Sequence, residues 1–146
     1  KLDVRHWKGN NPTRVVIDQS LKLNDSLSLL NQAQLTVVFH DQCLLVESSE
    51  NLLYIGIDFK ENFWTQVFES LYELQLQSII IEGGHQTLTS LIDEDLWDEA
   101  RVFVGENSIQ QGLKAPKLKL KAHRSQTKTI NGDILNYYYN DKNNTI

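Results

Sequence analysis

Residues 78–94 read SIIIEGGHQTLTSLIDE, and the fold turns on how this stretch is parsed. Ile79, Ile80 and Ile81 form a short β-branched apolar run, the pattern of a strand buried on both faces. Gly83 and Gly84 interrupt it. From Gln86 to Leu96 the apolar spacing turns helical, with Leu88, Leu91, Ile92 and Leu96 on one face. A glycine turn feeding a helix presents unpaired N–H groups and a positive dipole end, an anion site suited to the phosphates of a nucleotide. Glycine allows close backbone approach and leaves φ > 0 open. The plainer alternative is a tight strand-to-helix connection with no ligand.

Upstream of this stretch the chain alternates strand and helix patterns. Arg14–Asp18 (RVVID) reads as a strand after the turn-rich Gly9-Asn10-Asn11-Pro12, and Leu35–Phe39 (LTVVF) as a second. Leu21 to Leu30 carries leucines at mixed spacing, a short helix or turn. Cys43–Val46 reads as a short strand within an ambiguous stretch, and Leu53–Ile57 as a clearer one. Asn62–Gln75 is the clearest helix. Phe63, Val67, Leu71 and Leu74 fall near one face, with Phe68 and Tyr72 beside it. Beyond Trp97-Asp98-Glu99, Ala100–Val104 (ARVFV) is another strand. Leu118–His123 alternates apolar and basic residues, a strand with one buried face. Thr127–Ile130 and Ile134–Tyr139 flank Asn131-Gly132, the signature of a hairpin on a type I′ turn. Residues 140–146 read as a polar tail. The expectation is an α/β fold with a mixed, mostly parallel sheet, its edge closed by the C-terminal hairpin.

Composition narrows the function classes. The chain has 146 residues, a net charge of −5 and a pI near 5.3, which argues against a non-specific nucleic-acid surface. Its single cysteine, Cys43, excludes a disulfide framework and a thiol metal cluster within these residues. Beside Leu44 and Leu45, with no positive neighbour, it reads as a buried structural thiol. No apolar run reaches membrane-spanning length, and a cytoplasmic protein is the default expectation. His6, His40 and His123 are scattered without a Cys or Glu at ligand spacing, so no metal site is expected.

Three ordered pieces resemble a known family. They are Leu2-Asp3-Val4-Arg5 followed by Asn11-Pro12-Thr13-Arg14-Val15-Val16-Ile17-Asp18; Ile80-Ile81-Glu82-Gly83-Gly84; and Trp97-Asp98-Glu99 before ARVFV. Their order and spacing are similar to the reductase domain of the bifunctional riboflavin-biosynthesis deaminase/reductase, from Leu2 to about Tyr139. The resemblance implies a dihydrofolate-reductase-like, three-layer fold. It implies reduction of the ribosyl group of 5-amino-6-(5-phosphoribosylamino)uracil to a ribityl chain by NADPH, with hydride passing from nicotinamide C4 to sugar C1′. In such chemistry the cofactor is the reagent and the protein positions and polarises.

The resemblance also implies roles for residues. Leu2 and Arg5 contact the substrate, the guanidinium directed at its phosphate. Glu82 contacts the substrate through its carboxylate; the plainer reading of Glu82 is a charge at the helix dipole. Gly84, His85, Gln86, Thr87, Leu88, Thr89 and Ser90 correspond to the cofactor diphosphate loop, and Gln19 to a cofactor contact after the first strand. Parents of this family carry an N-terminal zinc deaminase domain and commonly form homodimers. They also carry a strand ahead of the Leu-x-x-Arg piece, so residues 1–139 read as a reductase domain lacking its first strand. On that reading these residues alone are expected to be inactive. A non-catalytic nucleotide-binding or assembly module of the same fold is the competing reading. The dihydrofolate reductases themselves fit the Glu-Gly-Gly and Trp-Asp-Glu pieces less well.

Overall fold

Thr36 through His40 are five buried residues in succession, the mark of a strand covered on both faces. They belong to β2 (Thr36–Asp41), which pairs in parallel with β1 (Arg14–Ile17) on one side and β3 (Leu52–Ile57) on the other. The structure is a computed structural model and describes residues 2–6, 8–107, 111–118 and 122–141. It divides into two compact units, Lys1–Ser78 and Ile79–Ile146.

In the first unit, Leu30, Val38 and Leu52 form a buried cluster, with Leu21, Leu23 and Tyr54 packed against it. Arg14 is only 4% exposed. Its guanidinium donates to the carbonyls of Leu2 (3.2 Å), Ser28 (3.1 Å) and Leu29 (3.3 Å) and to Asn31 Oδ1 (3.0 Å). A buried charge requires such a set of acceptors. The leucine-rich stretch after β1 is a series of turns. Asp18 starts it by accepting from the Lys22 and Leu23 amides at 3.0 and 2.8 Å.

The helix predicted over 62–75 is α1 (Phe63–Glu73). It buries Trp64, Val67 and Leu71, so Trp64 takes the core position expected of Phe63, and Tyr72 lies in solvent. Aromatic rings run continuously along Phe59, Phe63, Trp64 and Phe68 at centroid spacings of 4.8–5.7 Å. The helix ends in a Schellman motif: Leu76 N–H donates to Leu71 O (3.0 Å) and Gln75 N–H to Tyr72 O (2.8 Å), with Gln75 at φ 61°.

Two strands predicted from sequence do not form. Cys43–Val46 is irregular, because Asp41 Oδ1 accepts from the Cys43 amide at 2.9 Å and turns the chain out of β2. Cys43 is therefore exposed, not buried. Ile79–Ile81 is not in a strand either. A β-branched run supplies the propensity, but a strand needs a ladder partner, and these residues have none among those described.

The second unit holds α2 (His85–Asp93), β4 (Glu99–Val104), β5 (Ala122–Ile130) and β6 (Asp133–Asn140). The three strands form an antiparallel sheet in the order β4-β6-β5. Parallel pairing lies in the sheet of the first unit and antiparallel pairing in that of the second, the mixed α/β content the sequence predicts. The hairpin turn has the expected signature, with Asn131 at φ 52° and Gly132 at φ 96°. Residues 119–121, inside the alternating basic stretch, lie outside the described residues.

Asn140, assigned by sequence to the polar tail, is instead the buried end of β6. Its amide side chain donates to Asp95 Oδ1 (2.8 Å) and Trp97 O (3.0 Å), and its backbone N–H to Asp98 O (2.9 Å). These bonds tie the sheet to the end of α2. That helix also closes in a Schellman motif, Leu96 N–H to Leu91 O and Asp95 N–H to Ile92 O, with Asp95 at φ 63°.

Candidate functional site

The head of α2 is where the glycines act, and the two act differently. A Cβ on Gly83 would sit 2.8 Å from Thr87 Cγ2 and 2.9 Å from Thr87 Cβ, so glycine is required for the chain to pass under the first helical turn. A Cβ on Gly84 would meet nothing within 4 Å. Gly84 is the N-cap, at φ −67° and ψ 178°, and Gly83 is not among the positive-φ glycines. The left-handed backbone that sequence left open is therefore not used; close packing at Gly83 and openness at Gly84 are the reasons for the pair.

No side chain caps α2, and its first turn holds no acidic residue. Leu88 N–H makes the first turn's bond, to Gly84 O at 3.1 Å. By helix geometry the amides of His85, Gln86 and Thr87 precede the intrahelical ladder and face the open N-terminal end. Three aligned N–H groups at a positive dipole end, with no carboxylate in the first turn, are the donors this helix start leaves without intrahelical partners.

Around it, the predicted residues take distinct positions. His85 Nδ1 lies 2.8 Å from Lys114 O. A carbonyl only accepts, so Nδ1 carries the proton and the ring anchors the 111–118 segment. Gln86 is exposed and Leu88 half-buried. Thr87 packs its methyl over Gly83, and its carbonyl accepts from Ser90 Oγ at 3.0 Å. Thr89 Oγ1 is buried without a hydrogen-bond partner among the described residues, an unmet polar demand within this helix. Glu82 is exposed immediately before the glycines.

In the first unit, Leu2 and Arg5 lie at the amino end of β1. Leu2 O accepts from Arg14 Nε (3.2 Å) and Gln34 Nε2 (2.8 Å). Val4 N–H donates to Asn11 Oδ1 at 2.9 Å, and Arg5 Nε stands 3.5 Å from Asp3 Oδ1 with its side chain mostly in solvent. Gln19 sits past the opposite, carboxyl end of β1, its carbonyl accepting from Asp41 N–H at 2.9 Å. The strand thus separates Gln19 from Leu2 and Arg5.

Sequence reasoning passed over Asp41. Hydrogen bonds from the Cys43 amide and thiol, then from the Gln19 side chain, hold its carboxyl below the usual carboxylate range. The same carboxylate raises the Cys43 thiol, which is therefore exposed yet poorly nucleophilic. The polar run His40-Asp41-Gln42 directly after LTVVF is the signal that marks this strand end.

Parallel strands and a glycine-fed helix, followed by an antiparallel three-stranded sheet, define the class: an α/β chain of the dihydrofolate-reductase-like fold. The chain belongs to the RibD C-terminal domain family, whose model matches residues 1–130. It is similar to the riboflavin biosynthesis protein RibD of Aquifex aeolicus, with 24% identity over 139 residues that cover 87% of this chain and 38% of that protein. Solved structures of the same fold include the Thermotoga maritima diaminohydroxyphosphoribosylaminopyrimidine deaminase/5-amino-6-(5-phosphoribosylamino)uracil reductase. Its TM-score is 0.75 at 18% identity, over 95% of this chain and 40% of that one. They also include the Saccharomyces riboflavin biosynthesis reductase Rib7, with a TM-score of 0.70 at 15% identity, over 88% of this chain and 69% of that one. The chain spans about two fifths of the curated relative it matches.

Proposed function

We propose that this chain is the reductase part of a riboflavin-biosynthesis protein and acts in the NADPH-dependent reduction of 5-amino-6-(5-phosphoribosylamino)uracil to its ribityl product. Membership of the RibD C-terminal domain family supports the reaction class. The observation that carries the cofactor reading is the uncapped head of α2 behind a sterically required Gly83 and an unobstructed Gly84. The donor set fits a diphosphate: backbone amides for its oxygens, no first-turn carboxylate to repel it, and a helix dipole of matching sign.

A hydride for the sugar C1′ is the chemistry that a reduced nicotinamide dinucleotide supplies when bound. The protein's own part is placement. The amides of His85, Gln86 and Thr87 bind the diphosphate, and the exposed Gln86 side chain adds a donor. Arg5, beside Asp3 with its side chain mostly in solvent, pairs with the substrate's phosphate monoester through its guanidinium fork. The Glu82 carboxylate accepts hydrogen bonds from sugar hydroxyls or the pyrimidine. Gln19 contacts the cofactor. In the parent protein an N-terminal zinc deaminase domain supplies the substrate, and the parent assembles as a homodimer.

Replacing Gly84 with valine tests the central assignment. Its backbone conformation accepts any residue and an added Cβ meets nothing within 4 Å, so folding is expected to be retained. The side chain then stands where a diphosphate must approach. NADPH affinity, measured by calorimetric titration of the full-length enzyme, is expected to fall at least tenfold, about 1.4 kcal/mol. Unchanged affinity in a folded variant would refute the assignment. Arg5→Ala is expected to raise KM for the phosphorylated substrate about tenfold or more while leaving NADPH affinity in place. Equal losses in both would make Arg5 structural.

A further inference from the structure

Every strand of the parallel sheet ends on an aspartate. Asp18 follows β1, Asp41 is the last residue of β2, and Asp58 follows β3. Ligands of open α/β sheets bind outside the carboxyl ends of the parallel strands, so the charge collected there decides which ligand groups are tolerated. Here that charge is negative. Asp18 uses both oxygens on its own turn, accepting from the Lys22 and Leu23 amides, and Asp58 Oδ1 accepts from the Lys60 amide at 2.7 Å.

Asp41, at the end of the central strand, is held more firmly. Its N–H donates to Gln19 O (2.9 Å), and its carbonyl accepts from Leu44 N–H (2.9 Å) and from His40 Nδ1 (2.9 Å). Gln42 N–H, next in the chain, donates to Ile57 O (3.0 Å). Gly56 lets this turn close against β3, since a Cβ there would come within 3.0 Å of Gln42 Cα. A residue that discriminates between ligands needs such a fixed backbone. The carboxylate itself accepts from the Cys43 amide (2.9 Å) and thiol and from the Gln19 side chain. A carboxylate has about four acceptor positions, which leaves room for a further donor. Lys60 acts on this charge more weakly than those hydrogen bonds, and no lysine or arginine is ion-paired with Asp41 among the described residues.

Gln19 is the residue of this unit read above as a cofactor contact, and both its carbonyl and its side chain bond to Asp41. A cofactor that reaches Gln19 therefore meets the Asp41 carboxylate. An ionised carboxylate accepts from a neutral sugar hydroxyl and repels a phosphate group of about two negative charges. We propose that Asp41 is a specificity-determining residue that accepts from the free 2′-hydroxyl of the cofactor's adenosine ribose and disfavours a 2′-phosphate, so that NADH serves this chain better than NADPH. The inference rests on the nicotinamide-dinucleotide reading above. It departs from that reading only at the 2′-phosphate, which the resemblance to the family implies and no ion-paired cation at Asp41 matches.

Steady-state kinetics of the full-length enzyme with the aminouracil substrate test it, each dinucleotide being varied in turn. kcat/KM is expected to be about tenfold or more higher with NADH than with NADPH, and the gap to narrow as salt screens the repulsion. Asp41→Asn keeps an acceptor oxygen and removes the charge; Asp41→Ser is the smaller alternative. Either is expected to move the NADPH-to-NADH ratio about tenfold or more toward NADPH, a shift that a loss of folded protein, equal for both cofactors, does not produce. Should neither variant fold, the wild-type ratio and its salt dependence decide. A wild-type preference for NADPH would overturn the proposal and leave the dinucleotide reading standing. A preference for NADH that neither variant alters would overturn the role of Asp41. Turnover with neither dinucleotide would remove the reading and the proposal with it.

Discussion

At the residue scale, Asp41 shows how one side chain sets the chemistry of its neighbours. Its carboxylate ends β2, shapes the turn at Cys43 and contacts Gln19. The Cys43 hydrogen bonds lower its pKa from 3.8. A folded pKa below the unfolded one contributes stability that is present above the unfolded value and lost as pH falls through the folded value. Asp41→Asn keeps an oxygen for the Cys43 amide but removes the charge. The variant is expected to be less stable than wild type at neutral pH and to converge with it as pH falls through the lowered folded-state pKa, as followed by thermal melts across pH. Carboxyl titration by NMR checks the direction directly. Cys43 is expected to react with iodoacetamide more slowly than free cysteine at neutral pH, because the adjacent carboxylate suppresses the thiolate. Arg14 belongs at this scale too. Arg14→Met removes a buried guanidinium that donates to three carbonyls and Asn31 Oδ1; Leu2 O, Leu29 O and Asn31 Oδ1 keep donors from Gln34, Thr36 and Ala33, while Ser28 O loses its guanidinium partner. A loss of about 3 kcal/mol or more in denaturant unfolding is expected.

At the element scale, both helices stop on a residue that is not glycine in a position that favours it. Gln75 and Asp95 sit at C′ with φ of 61° and 63°. A left-handed conformation costs a non-glycine residue roughly 1–2 kcal/mol. Asp95 has a compensating bond from Asn140, whereas the Gln75 side chain has none among the described residues. Gln75→Gly is therefore expected to stabilise the protein by about 1 kcal/mol, read as a rise of several degrees in Tm. The hairpin gives the converse. Gly132 at φ 96° lies in the same forbidden half, and a Cβ there would come within 3.0 Å of Glu106 Oε1. Gly132→Ala is expected to cost about 1 kcal/mol or more. The head of α2 follows the opposite logic. Its N-cap is left as glycine without a side-chain acceptor, although serine or aspartate would cap it better. Gly84→Asp is expected to raise helix stability by a few tenths of a kcal/mol while its carboxylate excludes a diphosphate.

At the scale of the whole molecule, parallel pairing resides in the first unit and antiparallel pairing in the second. Much of this was legible in sequence. The buried run LTVVF, the 3.6-residue periodicity after Asn62 and the Asn-Gly hairpin are local patterns, each deciding its own element through burial or a φ requirement. The ordered motifs likewise identified the family and fold from Leu2 to the hairpin. What only tertiary structure decided is what depends on a partner distant in sequence. Strand propensity in Ile79–Ile81 does not become a strand without a ladder, and Asn140 leaves the expected tail because Asp95 and Trp97 lie within reach. Trp64 replaces Phe63 in the core because neighbouring elements select which face of α1 turns inward. Gly83 and Gly84 look alike in a one-dimensional string; only the position of Thr87 one turn later shows that the first is required for packing and the second is open to a ligand.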